Sequence, residues 1–177
     1  MHSIDEAILL SLARFRSPLL NKIMIDLTSL GSTTIAVLVA LTAFGLLWSM
    51  RNRRAAARIL TVTVGAEVWI EIAKRMFGRP RPSVVPYLVE FTGWSFPSGH
   101  TLMATATYLT LAAVVCRYTS RETSRLVVWT TCWTIVGLVA LSRVYLGVHY
   151  PSDVAGGVLF GLLWFYLAGF MYRKLPT

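Results

Sequence analysis

Apolar residues run along this chain in long blocks, separated by short stretches that are basic or rich in proline and glycine. Leu102 to Cys116, Leu126 to Leu141, Val154 to Tyr172 and Thr33 to Met50 contain no charged residue, and Ala55 to Ala73 is interrupted only by Arg58, Glu67 and Glu71. A bilayer-spanning helix needs about 20 mostly apolar residues, about 17 at the short end. Four blocks reach that length with their flanking Ser and Thr, and the fifth does if its glutamates face protein rather than lipid. The pattern predicts an all-α membrane bundle in one domain, with about five transmembrane helices over 33–50, 55–75, 98–116, 126–143 and 153–172. Before them, residues 1–30 mix apolar pairs with charges and are broken at Pro18, which suits an amphipathic helix lying in the membrane interface. Residues 76–97 carry prolines and glycines that rule out a continuous helix, leaving a loop with room for one short helical turn.

Composition agrees with lipid surroundings. Hydrophobic residues are 55% of the 177 and charged residues 14%, well under the roughly 25% charged content of soluble domains. The net charge of +9 raises nucleic acid as a partner, but the location of the charges answers it. Arg51, Arg53, Arg54 and Arg58 fall between the first two spans, Arg117, Arg121 and Arg125 between the third and fourth, and Arg173 and Lys174 after the fifth. Five spans put all three regions on one side, which the positive-inside rule makes cytoplasmic. The charge is topological, and no nucleic-acid patch is expected. Cys116 and Cys132 form no metal-ligand or disulfide pattern and read as small core residues.

The opposite side receives the polar clusters. Lys74 with Arg81, then Ser98-Gly99-His100, then Arg143 with His149 and Asp153, all stand at the outer ends of spans two to five. Three cations beside an apolar bundle repel one another unless they are partnered. Glu67, Glu71 and Lys74 share a helical face, so one ion pair is expected there. The arginines remain short of partners, and a bound phosphate would supply the missing charge, since the guanidinium fork matches phosphate oxygens. Pro97, Ser98 and Gly99 suit a helix start, with serine as the cap and glycine letting backbone N–H groups approach an anion. Asp153 lies four residues after His149, with Pro151 starting a helix between them. A carboxylate there can hold the proton of one imidazole nitrogen and leave the other as nucleophile or base. His100 could protonate a leaving oxygen.

In these residues the chain resembles the type 2 phosphatidic acid phosphatase superfamily, which includes vanadium-dependent haloperoxidases and glucose-6-phosphatase. Lys74, six residues, then Arg81-Pro82 is similar to the family's first motif. Pro97-Ser98-Gly99-His100 is similar to the second, and Ser142-Arg143, five residues, His149, three residues, Asp153 to the third. The resemblance covers residues 74–153 without a departure. It implies that His149 attacks phosphorus to form a phosphohistidine, that Asp153 orients it, and that His100 protonates the leaving group. It also implies that Lys74, Arg81, Ser98, Gly99 and Arg143 hold the phosphate oxygens. No metal or other cofactor is expected; no acidic cluster or HxxxH-type set is present to hold a metal. The short five-span form resembles bacterial lipid phosphatases of the inner membrane, multi-pass and with the site facing the periplasm or outside. Undecaprenyl pyrophosphate, phosphatidylglycerol phosphate, phosphatidic acid and lipid A phosphate stay open as substrates, and monomer and homodimer stay open as assemblies.

Other features have plainer readings. Arg75 and Arg79 match no motif position and are expected to touch lipid headgroups or close the loop. Gly157 and Gly161 are spaced for close helix contact, within the bundle or in a dimer. Trp48, Trp94, Trp164 and Tyr172 read as interface anchors, with Trp94 also near the proposed substrate. Two rival functions are set against the phosphatase. A Ser98–His149–Asp153 acyl-hydrolase triad lacks the strand–turn–helix elbow such serines need and leaves three cations unexplained. A transporter or anion-binding protein would also carry ionisable groups at membrane level, but five spans show no inverted repeat.

Overall fold

The computed structural model describes residues 2–174, with the side chains of His2, Ser3, Arg173 and Lys174 outside the description. Seven helices follow in order: α1 His2–Ala13, α2 Pro18–Ser29, α3 Thr33–Ser49, α4 Arg53–Phe77, α5 Gly99–Val115, α6 Glu122–Tyr145 and α7 Pro151–Lys174. Their starts are written locally. Ser17, Ser32 and Asn52 each accept a backbone N–H of the first turn through the side-chain oxygen, at 3.3, 3.3 and 3.1 Å, and Pro18 and Pro151 occupy first helical positions. Gly78, at φ 55°, ends α4 in the left-handed conformation, which costs glycine nothing.

Helix α5 is the axis of the bundle. It packs against α3, α4, α6 and α7, and twelve of its 17 residues are buried. Small residues allow this. A Cβ on Gly157 would lie 2.8 Å from the Ser98 carbonyl oxygen, and one on Gly161 would lie 2.6 Å from Thr105 Cβ, so both glycines serve the α5–α7 contact inside the bundle. Trp69, Phe160 and Trp164 close the apolar core around Val62, Ala66, Ile70, Leu102 and Ala106.

Among the described residues, α6 and α7 are long and apolar enough to cross a bilayer, and α2 with α3, bent by 47° at the break between them, would make a third span. Helix α5 is apolar but 17 residues long, and α4 carries the charges already noted. The expected five-span count is therefore finer than length and composition alone yield.

Three local expectations change. Residues 78–98 contain no helical turn; the prolines and a set of side-chain bonds from Arg81 hold them in irregular form. Trp164 lies midway along α7 rather than at an interface, donating Nε1–H to the Val62 carbonyl at 2.8 Å, whereas Trp48 and Trp94 are about half exposed. The N-terminal segment forms two helices, and α1 turns Asp5 and Leu9 inward while Ile4, Ile8 and Leu10 are exposed.

Candidate active site

The C-terminal ends of α4 and α6, the N-terminal end of α5 and the turn before α7 meet at one cleft of about 420 Å³, lined by Lys74, Arg81, Gly99, His100, Arg143 and His149, together with Thr28 from α2 and Glu90 to Thr92 from the loop. Three chain segments separated by tens of residues thus deliver six of the eight predicted groups to one place, while Ser98 and Asp153 are buried behind it. At Gly99 a Cβ would lie 3.3 Å from Ile70 Cγ2, a tight contact, and 3.8 Å from Lys74 Cε, an ordinary one, so the glycine keeps the start of α5 uncrowded beside the lysine.

His149 sits on the turn between α6 and α7 and is 1% exposed. Burial is the main influence on its titration; the cations Arg143 and Arg81 add to it, and the attraction of Asp153 does not compensate, so the imidazole is lowered from 6.5 to about 3. The ring is neutral at physiological pH. Arg81 Nη1 lies 3.3 Å from Nε2, which assigns Nε2 as the acceptor and the proton to Nδ1. On the Nδ1 side, Asp153 Oδ2 is 3.6 Å away, too far for a direct hydrogen bond. Ser95 explains the gap: its hydroxyl donates to Asp153 Oδ2 at 2.5 Å and stands 3.5 Å from Nδ1, while the Tyr150 N–H takes the same carboxylate oxygen at 2.8 Å. The expected His149–Asp153 pairing is thus relayed through a fully buried serine hydroxyl.

The cations differ in their partners. Arg81 is not short of them: it donates to the carbonyls of Val148 at 2.8 Å, of Gly93 and Thr92 at 3.0 Å and of Trp94 at 3.3 Å, and its guanidinium lies 4.5 Å from the Phe91 ring centre. These bonds fold the loop around it. Arg143 is 5% exposed and donates from Nη1 to Thr28 Oγ1 at 3.0 Å, but its Nε is buried with no hydrogen-bond partner. A buried guanidinium N–H without an acceptor is costly, and Arg143 itself is among the residues that line the cleft. Glu71 pairs with Arg75 at 3.7 Å on the exposed helix face rather than with Lys74, and Glu67 accepts from Thr33 Oγ1 at 2.8 Å.

Ser98 departs from the expected geometry. It precedes α5 but makes no side-chain cap bond; its hydroxyl is 3.0 Å from Thr101 Oγ1, it is fully buried, and its N–H donates to the Asp153 carbonyl at 3.0 Å. No hydrogen bond joins Ser98 to His149 among the described residues, which removes the geometry an acyl-hydrolase triad needs. Arg79, read from the sequence as a loop or headgroup residue, instead reaches Asp153 Oδ1 at 2.6 Å and Asp5 Oδ2 at 3.0 Å. Sequence reasoning missed Ser95, Thr28 and Asp5 altogether, because each depends on a contact across more than 50 residues. Among the described residues no group of three or more His, Cys, Asp or Glu is placed to hold a metal ion.

Comparison with known proteins adds the family. The PAP2 superfamily matches residues 55–175. Phosphatidylglycerophosphatase B of Bacillus subtilis is 32% identical over 169 residues, covering 94% of this chain and 82% of that protein. Undecaprenyl-diphosphatase of Sulfolobus acidocaldarius is 34% identical over 147 residues, covering 80% of this chain and 66% of its own length. The crystal structure of the transmembrane PAP2 type phosphatidylglycerolphosphate phosphatase from Bacillus subtilis superimposes with a TM-score of 0.90 at 30% identity, over 99% of this chain and 87% of that one.

Proposed function

We propose that this chain, which belongs to the PAP2 superfamily, removes a phosphate from a membrane lipid by transferring it first to His149. The observation that carries the reading is the cleft itself, where a neutral, buried imidazole lines one space with the cations Lys74, Arg81 and Arg143. Phosphate oxygens would be held by Lys74, Arg81, Arg143 and the N–H end of α5 at Gly99, whose dipole favours an anion. Ser98 would support that end from behind, through its backbone bond to Asp153. His149 Nε2 would attack phosphorus in line with the lipid oxygen, which departs with a proton from His100. Asp153, through Ser95, would balance the positive charge on the imidazolium ring of the phosphohistidine. Water, deprotonated by His100, would then release inorganic phosphate and restore both histidines. The cations stabilise charge that moves onto the phosphoryl oxygens in the transition state.

The same reading gives five spans, α3 to α7, with α1 and α2 at the outer interface and residues 1–177 as one domain. Helix α5 crosses inside the bundle, where neighbours rather than lipid surround it, and α4 faces its charges to protein and headgroups. Arg51, Arg53, Arg54, Arg117, Arg121 and Arg125 stand at the end opposite the cleft, which supports an inner-membrane protein with its site facing the periplasm or outside. Phosphatidylglycerol phosphate is the first substrate to try, since the relative of that name is matched over 94% of this chain. Undecaprenyl pyrophosphate, phosphatidic acid and lipid A phosphate follow, and the cleft has room for a monoester or a pyrophosphate.

The test is phosphate release by purified protein from each of the four lipids, with EDTA present. Activity on at least one lipid, unaffected by the chelator, is expected, and His149→Ala should reduce it by about a thousandfold or more, as loss of a nucleophile does. Near-normal turnover by that variant would remove the nucleophile assignment, and loss of activity on chelation would remove the metal-free chemistry.

A further inference from the structure

Asp5 stands in the first turn of α1 and is 5% exposed, although Ile4, Ile8 and Leu10 on the same helix are open to the surroundings. A carboxylate turned inward while isoleucines face outward needs strong partners. It has them. Oδ2 accepts from Arg79 Nη2 at 3.0 Å and from the Ser152 hydroxyl at 2.5 Å, and Oδ1 accepts from the Ser152 N–H at 3.0 Å. Burial raises the Asp5 pKa, but the hydrogen bonds from Ser152 and Arg79 outweigh it and the group is lowered, so it is ionised at neutral pH. Arg79 in turn donates from Nη1 to Asp153 Oδ1 at 2.6 Å and to Ser152 Oγ at 2.7 Å, and its guanidinium lies 4.3 Å from the Tyr150 ring centre.

One guanidinium therefore bridges the N-terminal helix to the carboxylate behind His149. The order of charge has a consequence. Arg79 alone would neutralise Asp153 and leave little negative potential for a cationic imidazole. With Asp5 included, two carboxylates and one guanidinium leave one net negative charge, which would balance the positive imidazolium ring of a phosphorylated His149 while the cations of the cleft hold its phosphoryl oxygens.

We propose that Asp5 and Arg79 are positioning residues for the nucleophile: Arg79 fixes Asp153, and Asp5 fixes Arg79 while cancelling its charge. This rests on the reading of His149 as the nucleophile, and it gives one side chain of α1, Asp5, a positioning role behind it. A plain clamp joining α1 to the loop and α7 would use the same bonds, so the test must separate charge from anchoring.

The full chain in detergent is assayed as wild type, Asp5→Asn, Arg79→Gln, the double variant, and Leu9→Ala. Leu9 is 1% exposed on the same helix and packs with Val85, Val144 and Tyr150, so it loosens α1 without touching charge. Asp5→Asn should lower kcat roughly tenfold with KM within about twofold. Inhibition by orthovanadate, which needs a bond to the nucleophile, should weaken with kcat, whereas inhibition by inorganic phosphate should hold. The double variant should be no slower than Asp5→Asn, because no uncompensated cation is left beside Asp153. Leu9→Ala should lose thermal stability with kcat near wild type. Asp5→Asn at full rate, a Leu9→Ala loss that matches it at equal destabilisation, or single-variant losses that multiply in the double variant would each overturn the proposal. Should Asp5→Asn not fold, Arg79→Lys carries the test: lysine lacks the fork that joins both carboxylates, so reduced kcat is expected and wild-type kcat overturns. A wild type inert on every lipid phosphate sinks the reading of the site and this inference with it, whereas an active wild type beside a fully active Asp5→Asn sinks the inference alone.

Discussion

Ser98 shows how a motif position and its geometry can diverge. The resemblance gives its hydroxyl a phosphate oxygen, but the hydroxyl faces Thr101 and the residue is sealed from the cleft. Only interactions that strengthen in the transition state accelerate a reaction. Ser98→Ala should therefore keep kcat/KM within about threefold while lowering the thermal midpoint, since Thr101 loses its partner at a cost of about 1–3 kcal/mol. A hundredfold fall in kcat/KM with the melting point unchanged would show the hydroxyl turning to the phosphate instead. His149, His100, Lys74, Arg81 and Arg143 were legible as a set because residue type, order and spacing all bear on charge, and the spans put them at one level. Ser95 was not legible. Nothing in GWSFPSGH distinguishes a serine that relays Asp153 to His149 from one that caps a turn; the distinction lies in a contact with α7, 58 residues away.

Elements were legible where hydrophobic blocks are long, and less so where packing replaces hydropathy. Blocks at 126–143 and 153–172 became α6 and α7 with modest extensions, because lipid exposure demands an uninterrupted apolar surface. Helix α4 carries charges that hydropathy penalises, yet its buried face is a row of small and branched residues, Ala55, Ala56, Ile59, Val62, Ala66, Ile70 and Ala73, meeting α3, α5 and α7. Close approach of α5 and α7 depends on glycines that composition alone cannot place. Gly161→Ala should cost about 1–3 kcal/mol by overpacking against Thr105 and should lower turnover, because α7 carries Asp153 in its first turn. Gly137 on α6 is the matched control: a Cβ there meets nothing within 4 Å, so Gly137→Ala should be neutral or stabilise by about 0.5–1 kcal/mol through helix propensity. Thermal midpoints in detergent, with phosphate release as second readout, decide it. Equal midpoints for the two variants would remove the close-packing account.

At the scale of the whole molecule, one asymmetry organises fold and chemistry together. The connections at one end are arginine-rich and short, and those at the other hold the cleft, its loop and the two N-terminal helices. An arginine-rich end resists transfer across the membrane, so the end holding the cleft should be the one translocated, where a headgroup in the outer leaflet can enter it while its tails stay in lipid. Ser83 lies on the exposed part of the loop and Ser120 on the exposed arginine-rich turn, and the two native cysteines are buried, which keeps background labelling low. In intact cells, Ser83→Cys should react with an impermeant maleimide and Ser120→Cys should react only after lysis. The reverse pattern would turn the cleft to the cytoplasm and exclude outer-leaflet substrates. Labelling of both in intact cells would mean that an odd number of crossings does not separate the two loops, and the count of five would fall with it.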